Sequence, residues 1–364
     1  MSPTELPVPN TAATSTRTAT VEFSGQKGEY AKLWLVNLLL SIITLGIYSA
    51  WAKVRNNQYL YGHTQIEGHR FQYLAQPMQI LRGRIIAVLV FVAYSLASSF
   101  NPALAAVMML ALIALFPWLI IQGLKFTLRN SAYRGVRFSF EASYWAIVGY
   151  FFLLPVLGMV TFGLAMPWVA QKTQKYLYEN ATYGGKPFSV PTSAAEYYKA
   201  VLMCLGAVVL LMAAIFVIVF TFSMTSVLIG DASNPLTQKG MSGAGMVIGA
   251  PVYFFAIYLL SAIYQGLIRN HLFNCLHING VFHAHSAIRI LPFAVLMMSN
   301  ALLLICTLGL AFPVTVVRKQ RFLAAATSFT LEPGIDHLVN TVPETHSAFG
   351  EEAAGLFDAD LSLT

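Results

Sequence analysis

Three sets of side chains in this sequence have types and spacings that could do chemistry. The first is His271, His277, His283 and His285, four imidazoles within the stretch 271–285. His283 and His285 are two apart and would share one face of a strand, and imidazole nitrogens suit zinc or copper. The stretch holds no carboxylate and only one cysteine, so histidines at a membrane interface are the competing reading, and no metal or other cofactor is expected. The second set is uncharged: Asn37, Asn300, Thr44, Thr161, Thr307, Gln122 and Gln265, all inside apolar surroundings. Such groups either line a cavity between broken helices or hydrogen-bond one helix to the next. The third set mixes bases with large aromatics at the ends of apolar runs: Trp51, Lys53, Arg55, Tyr59 and Tyr61, then Arg129, then Trp168, Lys175 and Tyr176, then Arg318 and Arg321. Residues of this kind anchor helices at the bilayer surface. Each base near anionic headgroups contributes on the order of 1 kcal/mol.

Signatures of catalysis are scarce. The chain has no HExxH, no G-x-S-x-G and no Walker A lysine, so no catalytic residue is named and the expectation is a non-enzyme. No groove-reading motif accompanies the basic charge balance, which excludes nucleic acid as the expected partner.

The elements that must position these groups are apolar. Of the 364 residues 57% are hydrophobic and only 10% charged, against about 25% charged in a soluble domain. Mean hydropathy is +0.64. The runs 85–100, 103–124, 201–222 and 246–268 contain no Asp, Glu, Lys or Arg, and each is close to the roughly 20 residues that cross a bilayer core. Three cysteines without CxxC spacing (Cys204, Cys275, Cys306) argue against a disulfide framework. Residues 1–20 are polar and read as a disordered lead-in. From 326 to 364 the chain is polar again, with seven acidic residues and no Lys or Arg, and reads as a disordered acidic tail. The membrane domain is expected over 21–325.

That domain repeats itself. Thr44-Leu45-Gly46 returns as Thr161-Phe162-Gly163 and as Thr307-Leu308-Gly309. On the first offset Trp51 meets Trp168, Tyr59 meets Tyr176 and Gly68 meets Gly185; on the second Asn37 meets Asn300, Arg55 meets Arg318 and Tyr59 meets Phe322. The copies cover about 23–73, 138–190 and 282–325. The downstream half also occurs alone, as "RNSAYRGVRFSF" from 129 and "RNHLFNCLHINGVFHAH" from 269. A module of apolar helix, basic junction and glycine-centred aromatic segment therefore occurs about five times, and the last part reads as a short β-hairpin.

Charge selects the topology. If the three Thr-Leu/Phe-Gly segments span, the 22 Lys and Arg divide 9 to 13; if those segments re-enter, every base but Lys239 lies on one face. The positive-inside rule prefers re-entry, with both termini cytoplasmic. The fold class expected is an all-α polytopic membrane protein, built of internally duplicated helix modules with short cytoplasmic β-hairpins.

The stretch "FSGQKGEYAKLWLVNLLLSIITLGIYSAWAKVRNNQYLYGHTQIEGHRFQY" resembles the signature of the YjgN-like bacterial inner-membrane proteins, and the resemblance covers about 21–325. It implies a multi-pass inner-membrane protein of a family without an established biochemical function, and it carries no site residues with it. Two functions are therefore expected as alternatives. One is a passive channel or transporter-like protein with its cavity near Asn37 and Asn300. The other is a structural or adaptor protein that binds anionic lipid headgroups or a partner through its basic hairpins.

Overall fold

In the computed structural model, which describes residues 16–228 and 235–338, the chain passes five times through a helix pair followed by a strand pair. β1 (Arg17–Phe23) leads into α1 (Lys27–Ile43), α2 (Ser49–Gly62), β2 (Thr64–Ile66) and β3 (His69–Tyr73). The second pass is α3 (Pro77–Phe100), α4 (Pro102–Arg129), β4 (Ser131–Tyr133) and β5 (Val136–Phe140). The third opens with α5 (Tyr144–Val148), a π-helical turn (Gly149–Leu153) and α6 (Leu154–Val160). It continues with α7 (Met166–Glu179), β6 (Ala181–Tyr183) and β7 (Lys186–Pro187). The fourth is α8 (Ala194–Leu228), α9 (Pro235–Cys275), β8 (His277–Ile278) and β9 (Phe282–Ser286). The last is α10 (Ile290–Cys306), α11 (Phe312–Ala325) and β10 (Thr327–Leu331), with a short 3-10 turn (Pro333–His337) behind it.

The ten strands form one antiparallel sheet in the order β7-β6-β5-β4-β3-β2-β1-β10-β9-β8. Beyond β7, the Ser189 N–H donates to the His277 carbonyl at 2.8 Å and the His277 N–H to the Ser189 carbonyl at 3.0 Å, which joins the two ends of the sheet. This barrel overturns the all-α fold class. Each of the four contiguous β-hairpins is legible locally, but two paired positions cannot hold a hairpin together alone. Edge-to-edge pairing of five hairpins gives every strand a hydrogen-bonded neighbour on both sides, and that pairing leaves no local trace. β10 completes the fifth hairpin by pairing with β1, from the far end of the chain: Phe329 faces both Ala19 and Ala284. Residues 17–20 and 327–337, expected to lie in the disordered ends, are therefore part of the structure. Residues 1–15 and 339–364, the rest of those ends, lie outside the described residues.

Strand residues alternate faces, and β5, β9 and β10 each bury every second side chain. The barrel is filled by Val21, Phe71, Tyr133, Phe138, Phe140, Tyr183, Phe188, Phe282 and Phe329. The buried hydroxyls among them find backbone acceptors, Tyr133 Oη on the Ile66 carbonyl and Tyr183 Oη on the Tyr133 carbonyl, both at 2.9 Å.

Register fixes the polarity of the barrel. Phe23 pairs with Thr64, Tyr73 with Ser131, Phe140 with Ala181 and Ser286 with Thr327. Every helix pair thus leaves and rejoins the sheet at one end. The tight turns, with positive φ at Glu67 and Gly68, Arg134 and Gly135, and Gly184 and Gly185, lie at the other. The segment after β10 crosses the turn end: Ile335 enters the core, and Gly334 lies so close to the Gly280 carbonyl that a Cβ there would collide with it.

Candidate functional site

At the tips of the three shorter helix pairs the chain reverses by one device used three times. The Thr44 hydroxyl donates to the Leu40 carbonyl at 2.8 Å and accepts from the Tyr48 N–H at 2.9 Å. Thr161 does the same between Leu157 and Ala165, and Thr307 between Leu303 and Ala311. Behind each threonine, Leu45, Phe162 and Leu308 adopt φ of 49°, 52° and 49°, followed by Gly46, Gly163 and Gly309 at 92°, 83° and 88°. A non-glycine residue with positive φ is uncommon and costs energy. The three apolar side chains held that way are 95%, 96% and 93% exposed. The threonines therefore serve the turn, and what each turn presents is a bare apolar tip.

A second shared device fastens the bases of two of these pairs. The Tyr59 hydroxyl accepts from the Gln26 N–H at 2.9 Å, and the Tyr176 hydroxyl from the Ser143 N–H at 3.3 Å. Both bonds satisfy an orphan donor at a helix N-terminus. Tyr30 stacks on Tyr59 at 5.2 Å, and the third copy replaces that pair with Phe293 and Phe322 at 5.6 Å.

Asn37 and Asn300 are 2% and 3% exposed, each inside its own helix pair. Asn37 Nδ2 donates to Asn56 Oδ1 at 3.0 Å, and Asn300 Nδ2 to the Thr315 carbonyl at 3.4 Å. In both, the side-chain oxygen is buried without a partner. Gln265 donates to Ser261 Oγ on its own helix at 3.0 Å, and Gln122 is half-buried in α4. The seven uncharged groups are thus distributed over separate helix pairs.

The basic and aromatic residues lie on α2, α7 and α11 and at the end of α4. The Arg55 guanidinium lies 5.8 Å from the ring centre of Tyr48, and the Lys172 ammonium 5.9 Å from that of Trp168. Trp51 stacks on Tyr48 at 6.2 Å. Tyr61 accepts from Ser131 Oγ at 3.3 Å. Lys175 meets Glu179 at 3.6 Å across one helical turn. Arg318 donates to Ser299 Oγ at 2.9 Å and Arg321 to the Gly25 carbonyl at 3.0 Å; Arg129 is half-buried as the last residue of α4. Part of the expected lipid-anchoring set therefore also braces the fold. Helices α2, α3, α4, α10 and α11 together carry nine Lys and Arg and no Asp or Glu.

The histidines do not converge. His271 Nε2 accepts from the Ser193 N–H at 3.2 Å, His277 Nδ1 meets the Cys275 carbonyl at 3.0 Å, and His283 pairs with Glu332 at 3.2 Å. His277 and His283 stack face to face at 5.0 Å, and His285 lies exposed two residues on. Among the described residues no three His, Cys, Asp or Glu gather as a metal site would require.

Two features escaped the sequence reading. Arg84 on α3 donates to Ser49 Oγ at the start of α2. At the turn end, Asp336 accepts from Arg17 at 2.8 Å and from Arg134 at 2.7 Å, contacts that span 319 and 202 residues. The Arg134 hydrogen bond, with both guanidinium charges behind it, holds the Asp336 carboxyl below the usual carboxylate range. Burial pushes the Tyr133 phenol up to about 12, so it stays neutral inside the barrel. Neither contact has a spacing that a sequence pattern could announce.

Among the described residues four helices are long and apolar enough to cross a membrane: Pro77–Phe100, Pro102–Arg129, Ala194–Val217 and Val252–Cys275. A family model described as a bacterial protein of unknown function (DUF898) matches residues 18–356. The chain is 25% identical to the inner membrane protein YjgN of Escherichia coli O157:H7 over 296 residues, 71% of this chain and 74% of that protein. To the inner membrane protein YjgN of Salmonella typhimurium it is 36% identical over 145 residues, 39% of this chain and 36% of that one. No solved structure matches.

Proposed function

The chain belongs to this family of bacterial proteins of unknown function, and from that premise we propose that it is a structural protein of the inner membrane that binds anionic phospholipid through its basic collar. The observation that carries this reading is the closed, apolar-filled barrel from whose one end all five helix pairs emerge. Placed at the cytoplasmic face, the barrel holds two long pairs across the bilayer, α3 with α4 and α8 with α9. Three short pairs dip in and return. Helices α1 and α10 have 17 residues each, about 25 Å at 1.5 Å per residue, against a hydrocarbon core of about 30 Å. Their exposed tips at Leu45, Phe162 and Leu308 then lie in hydrocarbon. The five passes are copies of one module, a reading supported by the Tyr59 and Tyr176 bonds, which share one offset.

This arrangement puts the bases of α2, α4, α7 and α11 at one headgroup layer, on the side where positive charge collects. A pore is less well supported. The barrel interior is packed with aromatic side chains, and Asn37 and Asn300 each bond within their own helix pair.

The test is reconstitution of the full chain in vesicles of phosphatidylcholine with increasing phosphatidylglycerol. Spin-labelled lipids would report the composition of the lipid shell. We expect selectivity for phosphatidylglycerol that falls several-fold when Arg55, Lys175, Arg318 and Arg321 are changed to Gln together. Equal shells for both lipids, or solute flux through the wild-type protein that Asn37→Leu abolishes, would overturn the reading.

A further inference from the structure

We propose that His271 and His277 make closure of the barrel depend on pH, holding its seam shut while their rings are neutral and loosening it when they take up a proton. The segment that closes the ring is the link between β7 and α8, residues 188–193. Three contacts fasten it. Ser189 exchanges two backbone hydrogen bonds with His277, Thr192 accepts from Gln171 Nε2, and the Ser193 N–H donates to His271 Nε2 at 3.2 Å. A backbone N–H can only donate, so His271 must offer a lone pair at Nε2. A neutral imidazole has one such nitrogen and an imidazolium has none. The bond therefore exists only while His271 is neutral, with its proton on Nδ1 facing Cys275 Sγ at 4.0 Å. Protonation sets N–H against N–H and releases Ser193, which lies on the same short link as the bridging Ser189.

His277 acts on the bridge itself. Its Nδ1 donates to the Cys275 carbonyl at 3.0 Å, and its ring lies parallel to that of His283, centre to centre at 5.0 Å. His283 bonds Glu332 at 3.2 Å, which gives one positive charge a partner. A second charge, on His277, would set two cations face to face. The charges near His271 are Glu196 and Lys199 on α8, which pair with each other. The Tyr197 ring meets it edge-on at 6.0 Å. Helix α7 contributes the neutral Gln171 and Gln174, the latter bonded to the Tyr197 hydroxyl. Helix α10, which also packs on α9, has no Asp, Glu, Lys, Arg or His. An imidazole changes charge between about pH 8 and 5, so the closing contacts are present at the upper end of that window and lost as pH falls. Three of the four histidines in the stretch 271–285 thus surround the one junction of the sheet that is made by a single bridge.

The experiment is hydrogen exchange on the full chain in detergent micelles at the two ends of that window, with rates corrected for the intrinsic pH dependence of exchange. The link 188–193 and the bridging His277 should lose about tenfold in protection at the acid end, the effect of one hydrogen bond, while β3 to β5 keep theirs. His271→Gln places an acceptor that does not titrate where Nε2 stands. It should match the wild type at the alkaline end and lose most of the acid effect. His283→Gln removes the facing imidazole and should reduce the acid effect without abolishing it. Equal loosening by acid in His271→Gln and in the wild type would overturn the proposal, and so would protection that falls evenly around the barrel. Should His271→Gln not fold, magnetic resonance of the wild type labelled at histidine decides the matter. The His271 ring should titrate with the same midpoint as the loosening of the link, and a link that loosens while that ring stays neutral would refute the latch.

Discussion

Ser189 and His277 exchange both of their backbone hydrogen bonds, at 2.8 and 3.0 Å, and this single bridge closes a ten-stranded ring. β7 and β8 on either side of it are two residues each, the shortest strands in the sheet. The seam is held from behind by Gln171, whose Nε2 donates to the Thr192 carbonyl at 3.0 Å and its hydroxyl at 3.1 Å. A barrel closed by so short a seam should open there first.

Ser189→Pro deletes one donor of the bridge and leaves the His277 carbonyl without its partner. The cost expected is about 1–3 kcal/mol of stability, with faster hydrogen exchange at the His277 amide and at β8 while β3 to β5 stay protected. Uniform loss of protection around the ring would mean that the barrel is one cooperative unit and the seam is not its weak point.

Tyr59→Phe and Tyr176→Phe each orphan one N–H at a helix start, Gln26 and Ser143. Each should lower stability by about 1 kcal/mol, and the effects should add, because they serve different helix pairs. Phe322→Tyr, at the third copy's equivalent position, should raise stability if the Arg289 N–H is within reach. Thermal unfolding in one detergent measures all three.

The short pairs make a directional prediction. A polarity-sensitive fluorophore on Leu45→Cys, Phe162→Cys or Leu308→Cys should report hydrocarbon. A thiol reagent added from the cytoplasmic side should reach Gly184→Cys at the turn end. Aqueous emission from all three tips, or labelling of Gly184→Cys from the outer side, would remove the re-entrant arrangement.

Asp336→Asn tests the clamp across the turn end. The folded carboxyl is lowered by Arg134 and Arg17, so its contribution is present above the unfolded value of about 3.9. It is lost as pH falls through the still lower folded value. The side chain is 39% exposed, and solvent screening limits the effect to about 0.5–1 kcal/mol. The variant should melt below the wild type at pH 7 and match it near pH 2. A gap that persists at low pH would show that the carboxylate charge is not what the clamp uses.

Much of this was legible along the chain because the physics involved is local. The length and apolarity of α3, α4, α8 and α9 follow from unbroken runs without charge. The Thr-Leu/Phe-Gly tips depend on a threonine that bonds four residues either way and on a glycine that tolerates positive φ. Three of the glycine-centred hairpins lie where a two-residue turn separates the paired strands, and the one at Gly280 has a three-residue turn. The candidate site was read in part: Arg55, Lys53 and Trp51 stand out along the chain as basic and aromatic junction residues, while the contact between Ser49 and Arg84 does not, since 35 residues separate them.

Only the tertiary structure decided how the pieces meet. A strand of two to seven residues carries no information about which distant strand completes it, so the ring of ten and its apolar filling were invisible one hairpin at a time. The assignment of residues 17–20 and 327–337 shows the limit most clearly. By composition they belong to polar, unstructured ends, yet β1 and β10 pair across the whole length of the chain. Their backbone bonds to each other are what make the fifth hairpin. Apolar length and charge single out the segments able to cross a bilayer, because partition into it is a property of each segment alone. Closure is a property of all ten strands together.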